Sequence, residues 1–156
     1  MRRKDREVTD TEEMLKILEK CEVCRLGFAE SEGVYIVPMS FGYSYGDGGL
    51  TLYFHGAAEG KKAALLEVSP IVGFEMDIPG KLSVSENACG YSYMYQSIVG
   101  KGRAEIISDP ADKNKAMRRI MYKYSTREDW SFDENVFRRT MLFKVEVKEW
   151  SCKFHL

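Results

Sequence analysis

The hydrophobic pattern at the start of the chain changes from a helical period to a strand period. Met14, Ile17 and Leu18 share one helical face, and the acidic residues after Thr9-Asp10 suit the N-terminus of a helix. From residue 23 apolar positions recur at every second residue, which predicts a strand over about 23–29. The chain is therefore expected to begin with one helix that leads into a sheet.

Alternating patterns predict that much of the remaining chain is strand. The predicted strands cover residues 34–43, 50–55, 71–78, one or two long strands within 81–107, and 141–147. Pro38 lies in the first of these and cannot donate a hydrogen bond to a neighbouring strand, so an edge or a bulge is expected there. Pro79-Gly80 is expected to end the strand over 71–78.

Three helices are expected in all. Besides the N-terminal helix, a short one is predicted over about 59–68, and Asp109-Pro110 supplies an N-cap and a first-turn proline for a third. A polar stretch with a short segment around Val136-Phe137 precedes the last strand. Residues 1–156 are predicted to form one mainly β domain, a β-barrel with α-helices, because an antiparallel sheet with few helices usually closes to hide its edges.

Composition and charge narrow the class of protein. The hydrophobic content of 44% and the charged content of 30% are those of a soluble globular domain. A net charge of −1 leaves no overall field that would attract nucleic acid or an anionic membrane. The charged N-terminus lacks the apolar region of a signal peptide, and no stretch is apolar for long enough to span a bilayer. A cytoplasmic protein without nucleic-acid or membrane partners is expected.

The cysteines do not form a metal or redox motif. Cys21 and Cys24 have the spacing of a redox pair, but they follow a helix, whereas a reactive thiol needs a helix N-terminus to lower its pKa. Cys89 and Cys152 stand apart, so no second pair completes a zinc site. All four cysteines are expected to be buried free thiols, and no metal is expected. His155 is nearly terminal and is expected to be inert.

Residues 55–62, with the sequence HGAAEGKK, carry the most informative chemical signal. His55 ends a predicted strand, small residues follow it, and Lys61 and Lys62 stand in the first turn of a helix, where the dipole disfavours cations. A bound phosphate would remove this conflict by accepting hydrogen bonds from the N–H groups and pairing with the lysines. A solvated basic face on a short surface helix explains the pattern equally well, and the residues alone leave both open.

Several segments, in order along the chain, resemble the nitroimidazole-resistance proteins. These segments are MRRKDREV at 1–8, VCRLG at 23–27, YIVPMSFGY at 35–43, LYFHGA at 52–57 with GKK at 60–62, and YQSIVG at 95–100 with GRA at 102–104. Each motif is weak alone, but together they are specific and extend the similarity to about residue 148.

The resemblance implies a flavin split barrel related to pyridoxamine 5′-phosphate oxidase, with six to eight antiparallel strands in a Greek-key-like barrel. In that family two subunits share two FMN sites, and members with known activity are described as reducing nitroimidazole drugs to amines. Lys62 matches the phosphate-binding position. The implied cofactor-binding residues are Val37, Pro38, Met39, Ser40, His55, Gly56, Lys61, Lys62, Tyr95, Ser97 and Val99.

The C-terminal end departs from the family pattern. Residues 149–154 stand where many members have a Gly-Lys ending, so the resemblance does not define the contacts on the substrate side. The arginine-rich substrate motifs of a pyridoxamine-phosphate oxidase are also missing near the end of the chain. That specific activity is therefore not expected.

The resulting hypothesis is a homodimeric FMN-binding oxidoreductase that transfers hydride from a reduced nicotinamide to a small acceptor. The chemistry would belong to the flavin, and the protein would position its ring and tune its potential. His55 is the candidate for proton donation. Two alternatives stay open: a flavin-binding protein without turnover, serving storage or redox sensing, and a split barrel that uses deazaflavin or haem.

Overall fold

A computed structural model describes residues 3–125, 127 and 129–155 of the chain. Within these residues the strands are β1 (Glu7–Val8), β2 (Cys24–Glu30), β3 (Gly33–Met39), β4 (Phe41–Gly46), β5 (Gly49–Ala57), β6 (Ile71–Ser83), β7 (Ser92–Ile106) and β8 (Thr140–His155). The α-helices are α1 (Thr11–Lys20), α2 (Lys61–Val68), α3 (Pro110–Tyr124) and α4 (Glu134–Arg139). Short 3₁₀ turns lie at Lys4–Arg6 and Ala88–Gly90.

One antiparallel sheet contains all the strands of the described residues. Its order is β3-β2-β6-β7-β8-β5-β4, and β1 pairs with β8 outside this path. The predicted mainly β fold of six to eight antiparallel strands is confirmed. However, β3 and β4 stand at opposite ends of the order and do not pair, so the sheet does not close into a continuous hydrogen-bonded barrel.

The strand predicted over 34–43 is two strands, β3 and β4, divided at Ser40. Met39 and Phe41 are both buried, so the alternation of apolar positions continues across the break and hides it in the sequence. β3 pairs only with β2, which confirms the edge position that Pro38 predicts.

The inward side chains of the sheet meet in a single hydrophobic core. Because strands from both ends of the order contribute to this core, the sheet curls around it. The largest fully buried side chains come from β2, β4, β5 and β8 and include Phe28, Phe41, Phe54 and Phe143. Helices α1 and α2 add further members, namely Ile17, Leu18, Ala63 and Leu66.

Helix α3 covers part of the outer face of the sheet. Ala116 and Ile120 pack with Leu142 of β8 in a second, smaller cluster. The helix approaches β4 so closely that a Cβ added to Gly42 would lie 2.5 Å from the backbone nitrogen of Ile120. Among the described residues, β2, β3 and β6 have no helix packed extensively against them. One outer region of the sheet is therefore covered and the other is bare.

Side-chain caps begin α1 and α3 where the sequence predicts them. The Asp10 carboxylate accepts from the Glu13 N–H at 2.9 Å, and the Asp109 carboxylate accepts from the Asp112 N–H at the same distance. No helix within the described ranges is both long and apolar enough to cross a membrane.

Three local predictions need correction. β6 continues past Pro79-Gly80, with a register shift between Pro79 and Leu82 that accommodates a residue without an N–H. The segment around Val136 is a fourth helix, α4, whose N-terminus Asp133 caps. β8 continues beyond Val147 to His155 because β7 and β1 pair with its C-terminal part.

Three of the four cysteines are buried as expected. Cys21, Cys24 and Cys152 are buried free thiols, whereas Cys89 is exposed. The prediction for Cys89 is wrong because residues 86–91 form an exposed turn between β6 and β7.

Candidate functional site

Lys62 is a partly buried cation with no carboxylate within ion-pair distance in the described part of the chain. Its ammonium group donates to the thioether sulfur of Met39 at 3.7 Å. A thioether is a weak acceptor, and burial lowers the pKa of the Lys62 ammonium. An anion bound here would supply the charge and the acceptors that the protein does not.

Gly56 leaves the space that the Lys62 side chain occupies. A Cβ added to Gly56 would lie 2.9 Å from Cε of Lys62 and would contact Nζ as well. Gly56 is the last residue but one of β5, Met39 ends β3, and Lys62 is the second residue of α2. The structure therefore brings together three predicted site residues from separate segments.

The N-terminus of α2 lies at the same place and has no side-chain cap. Gly60 occupies the N-cap position with a φ of 109°, a left-handed conformation that favours glycine. Ala64 is the first residue of the helix whose N–H bonds to an intrahelical carbonyl, that of Gly60 at 3.2 Å. The N–H groups before it are left to other acceptors, which is the arrangement that binds anions at helix N-termini.

Lys61 has protein partners, unlike Lys62. Its ammonium lies 2.9 Å from the Glu30 carboxylate and 4.7 Å from the centroid of the Tyr35 ring. Adjacent helical residues point in different directions, so the two lysines meet different surroundings. Of the two predicted phosphate ligands, Lys62 is the one whose charge is not already paired.

His55 lies next to Gly56 on β5, opposite Leu142 of β8. Because side chains alternate along a strand, His55 is turned to the other face of β5 from Gly56. His55 is exposed. Desolvation lowers the pKa of its imidazole, and the nearby charge of Lys62 lowers it further. The lowered pKa favours the neutral imidazole at pH 7, which is a weaker proton donor than an imidazolium.

The predicted positions around β3 differ in exposure. Met39 is 8% exposed and belongs to the core, and Val37 packs partly buried against the same core. Pro38 and Ser40 are exposed. Only Pro38 and Ser40 therefore present side chains to a ligand on the outer face of the sheet.

The predicted positions on β7 also lie on the outer face. Ile98 is fully buried, so Tyr95, Ser97 and Val99 on the alternate positions point outwards. Val99 is 48% exposed, and Tyr95 and Ser97 are half-buried.

Two strands separate these β7 positions from β3. The register runs from Pro38 through Arg25 and Glu75 to Val99. With about 4.8 Å between neighbouring strands, three spacings put the two segments roughly 14 Å apart. Within one chain, the structure does not bring the two halves of the predicted site into contact.

An ion-pair network that the sequence analysis missed lies between these halves. The Arg25 guanidinium lies 2.9 Å from Glu75 and 2.6 Å from Asp77. Arg25 stands at a polar position of an alternating strand, but only the pairing of β2 with β6 identifies its partners.

The buried thiols add no reactive centre. Burial raises the pKa of Cys21 to about 11 and that of Cys152 to about 12, and it raises the pKa of Cys24 as well. A thiolate, not a thiol, is the nucleophile and the metal ligand. Among the described residues, no group of three or more His, Cys, Asp or Glu side chains could hold a metal ion.

A family model described as pyridoxamine 5′-phosphate oxidase matches residues 10–154, which include both halves of the predicted site. The chain belongs to the pyridoxamine 5′-phosphate oxidase family. Comparison of this family member with the curated proteins gives no match.

Solved structures from several bacteria share the fold of this oxidase-family chain. A candidate 5-nitroimidazole antibiotic resistance protein from Bacteroides thetaiotaomicron VPI-5482 is 30% identical, with a TM-score of 0.81 over 94% of this chain and 85% of that chain. The flavocytochrome Anf3 from Azotobacter vinelandii is 22% identical, with a TM-score of 0.85 over 100% of this chain and 72% of that chain. An FAD- and haem-binding protein from Mycobacterium smegmatis is 18% identical, with a TM-score of 0.79 over 96% of this chain and 73% of that chain. The resemblance to nitroimidazole-resistance proteins is confirmed.

A groove of about 940 Å³ lies elsewhere on this family member, between α3 and the outer face of β5 and β8. None of the predicted cofactor-binding residues lines it. The ion pairs Lys115–Asp112 and Lys144–Glu105 neutralise part of its charge. Sequence reasoning did not indicate this groove because Tyr53, Lys144 and Glu105 become neighbours only through strand pairing.

Proposed function

We propose that the chain binds FMN, with the phosphate at the N-terminus of α2 and at the Lys62 ammonium. The observation that carries this proposal is a partly buried lysine whose nearest partner is a thioether, beside an uncapped helix N-terminus. The flavocytochrome, the FAD- and haem-binding protein and an FAD-binding protein from Mesorhizobium loti, which share this fold, support a flavin as the cofactor. FMN fits the site because its terminal phosphate supplies the missing anion.

We propose that two copies of the chain build each FMN site. The segment around Pro38 and the segment of Tyr95, Ser97 and Val99 lie on one outer face but roughly 14 Å apart, with Arg25 and its carboxylates between them. A two-fold axis through this bare face would place the β7 segment of one copy against the β3 segment of the other, twice over.

The same face carries the apolar surface that such a dimer needs. Val34 is 63% exposed and Ile36 is 62% exposed on β3, and Ile71 of β6 is 56% exposed. Gly27 of β2 stands between Ile36 of β3 and Gly73 of β6 in the register, so few side chains rise from this part of the sheet. Contiguous exposed apolar surface of this kind typically marks a protein interface.

The proposed activity is the transfer of hydride from a reduced nicotinamide to a small acceptor in the cytoplasm. When bound, the flavin supplies the hydride chemistry itself. Lys62 and the α2 N–H groups anchor the phosphate, and the exposed backbone around Pro38 and Ser40 borders the ring. The neutral His55 suits a hydrogen-bonding role near the phosphate end of the site better than proton donation.

The test is a titration of the purified protein with FMN, FAD and riboflavin, followed by flavin fluorescence and absorbance. We expect one FMN per chain and weaker binding of riboflavin, which lacks the phosphate. Reduction of the bound FMN by a nicotinamide under anaerobic conditions would support the oxidoreductase and not the storage or sensing alternative. Absence of FMN binding at micromolar concentration would refute the proposal.

A further inference from the structure

The C-terminal end of β8 lies beside the β7 segment that we assign to the flavin. In the register, Lys153 stands opposite Ser97 and His155 stands opposite Tyr95. Cys152 is fully buried, so its side chain points to the core. Because side chains alternate along a strand, Lys153 and His155 point to the outer face, which they share with Ser97 and Tyr95. β1 pairs with the other side of this segment and holds it in the sheet.

The His155 imidazole is oriented by two contacts. Its Nε2 lies 2.6 Å from the Ser92 hydroxyl, and its ring meets the Tyr95 ring edge-on with centroids 5.9 Å apart. When the Ser92 hydroxyl donates to Nε2, the imidazole carries its proton on Nδ1. In that tautomer the Nδ1–H is a donor on the side of the ring away from Ser92.

Lys153 is half-buried, and Glu7 of β1 stands opposite it in the register. The two side chains do not approach within ion-pair distance, and Lys153 has no ion pair with any other described residue. Other lysines of β7 and β8 differ in this respect: Lys101 pairs with Glu149 at 2.9 Å, and Lys144 pairs with Glu146 at 3.0 Å. Lys153 and His155 are two residues apart on one strand, roughly 7 Å along its axis, which the long lysine side chain can span.

We propose that Lys153 and His155 form an anion subsite that binds the carboxylate of a small organic acid at the flavin. This inference rests on the proposed function for the position of the flavin and adds the substrate class. A carboxylate has two oxygens and one negative charge, which match one ammonium and one N–H donor. The substrate side of the site would then be selective for acceptors that carry a carboxylate.

The probes for this subsite are benzoate and benzamide, which have the same shape but differ in charge. Their binding is measured in FMN-loaded protein by the flavin absorbance and in flavin-free protein by the NMR shifts of His155. We expect benzoate to bind wild type at least about tenfold more tightly than benzamide, since charge-assisted hydrogen bonds exceed neutral ones. Lys153→Gln should remove this preference, and Ser92→Ala, which frees the imidazole, should reduce it.

Lys101→Gln is the matched control, because it removes an already paired charge from the same face. This variant should keep the preference for benzoate over benzamide. Unchanged FMN affinity in Lys153→Gln would confirm that the substitution affects the binding of benzoate and not the binding of the flavin. Equal binding of the two probes to FMN-loaded wild type would overturn the subsite and leave the flavin proposal intact. If the protein binds no FMN but its flavin-free form still prefers benzoate to benzamide, the subsite is supported and the proposed function is refuted.

Discussion

The Lys62 ammonium nitrogen lies 3.7 Å from the Met39 sulfur, a contact between the first turn of α2 and the end of β3. The contact places a charged group against an atom that cannot neutralise it. The adjacent residue Lys61 instead pairs with the Glu30 carboxylate. The difference between these adjacent lysines is the basis of the first prediction.

Lys62→Ala is expected to weaken FMN binding by roughly ten- to a hundredfold, because a charge-assisted hydrogen bond contributes about 1.5–3 kcal/mol. Riboflavin should be nearly indifferent to the change. Fluorescence titration with both ligands separates this effect from a folding defect, which would weaken both alike. Lys61→Ala should have a smaller effect, since Glu30 already holds that ammonium. An unchanged preference for FMN over riboflavin in Lys62→Ala would place the phosphate elsewhere.

Gly56→Ala is expected to weaken FMN binding without unfolding the protein. The added Cβ would collide with the end of the Lys62 side chain, which is flexible and can move away, but its ammonium then leaves the phosphate position. Gly46→Ala is the control, because a Cβ at Gly46 meets nothing within 4 Å. The measurements are FMN titration and the denaturant midpoint of the apoprotein. Wild-type affinity in Gly56→Ala would contradict the assigned position of Lys62.

Gly42→Ala is expected to destabilise the fold by about 1–3 kcal/mol, the usual cost of overpacking. Its Cβ would lie 2.5 Å from the Ile120 nitrogen and 2.6 Å from the Arg119 carbonyl oxygen, and a helix backbone cannot move as a side-chain end can. Urea unfolding of the variant, compared with Gly46→Ala in the same strand, measures the loss. Equal midpoints would show that α3 does not pack on β4 as described.

Cys89 is expected to be the only one of the four cysteines that reacts rapidly with a thiol reagent in the native protein. It is exposed, whereas burial raises the pKa of Cys21 to about 11 and of Cys152 to about 12 and leaves few thiolates at pH 8. Modification should therefore reach one thiol per chain before denaturation and all four after it. Cys89→Ser should abolish the rapid phase, and a rapid phase that persists would disprove the assignment.

Ile36→Glu is expected to convert the proposed dimer to monomers and to lower FMN affinity at the same time. Ile36 is 62% exposed on the bare face, so the substitution adds charge to the interface without opening the core. Light scattering measures the mass, and Tyr122→Glu on the exposed side of α3 is the control for added charge on another surface. A wild-type mass of one chain with FMN bound would rule out the shared site.

Local signals in the sequence were sufficient for many of the elements. The Asp10 and Asp109 caps, the helical spacing of Ile17 and Leu18 and the alternation around Leu26 all depend on residues near one another in the chain. Pro38 predicted an edge strand because a missing N–H has the same consequence in any sheet. The resemblance extended these local patterns to a fold, which the family match confirms.

The tertiary structure alone determined which of these residues meet. Long-range pairing gave Lys61 a carboxylate partner and left Lys62 against Met39, and it put Lys153 beside Ser97. The same pairing divided the predicted site across β2 and β6 and left the sheet open between β3 and β4. Periodicity reports which face a residue occupies, but its partners depend on strand register and order. Both are set by packing between residues that are far apart in the chain.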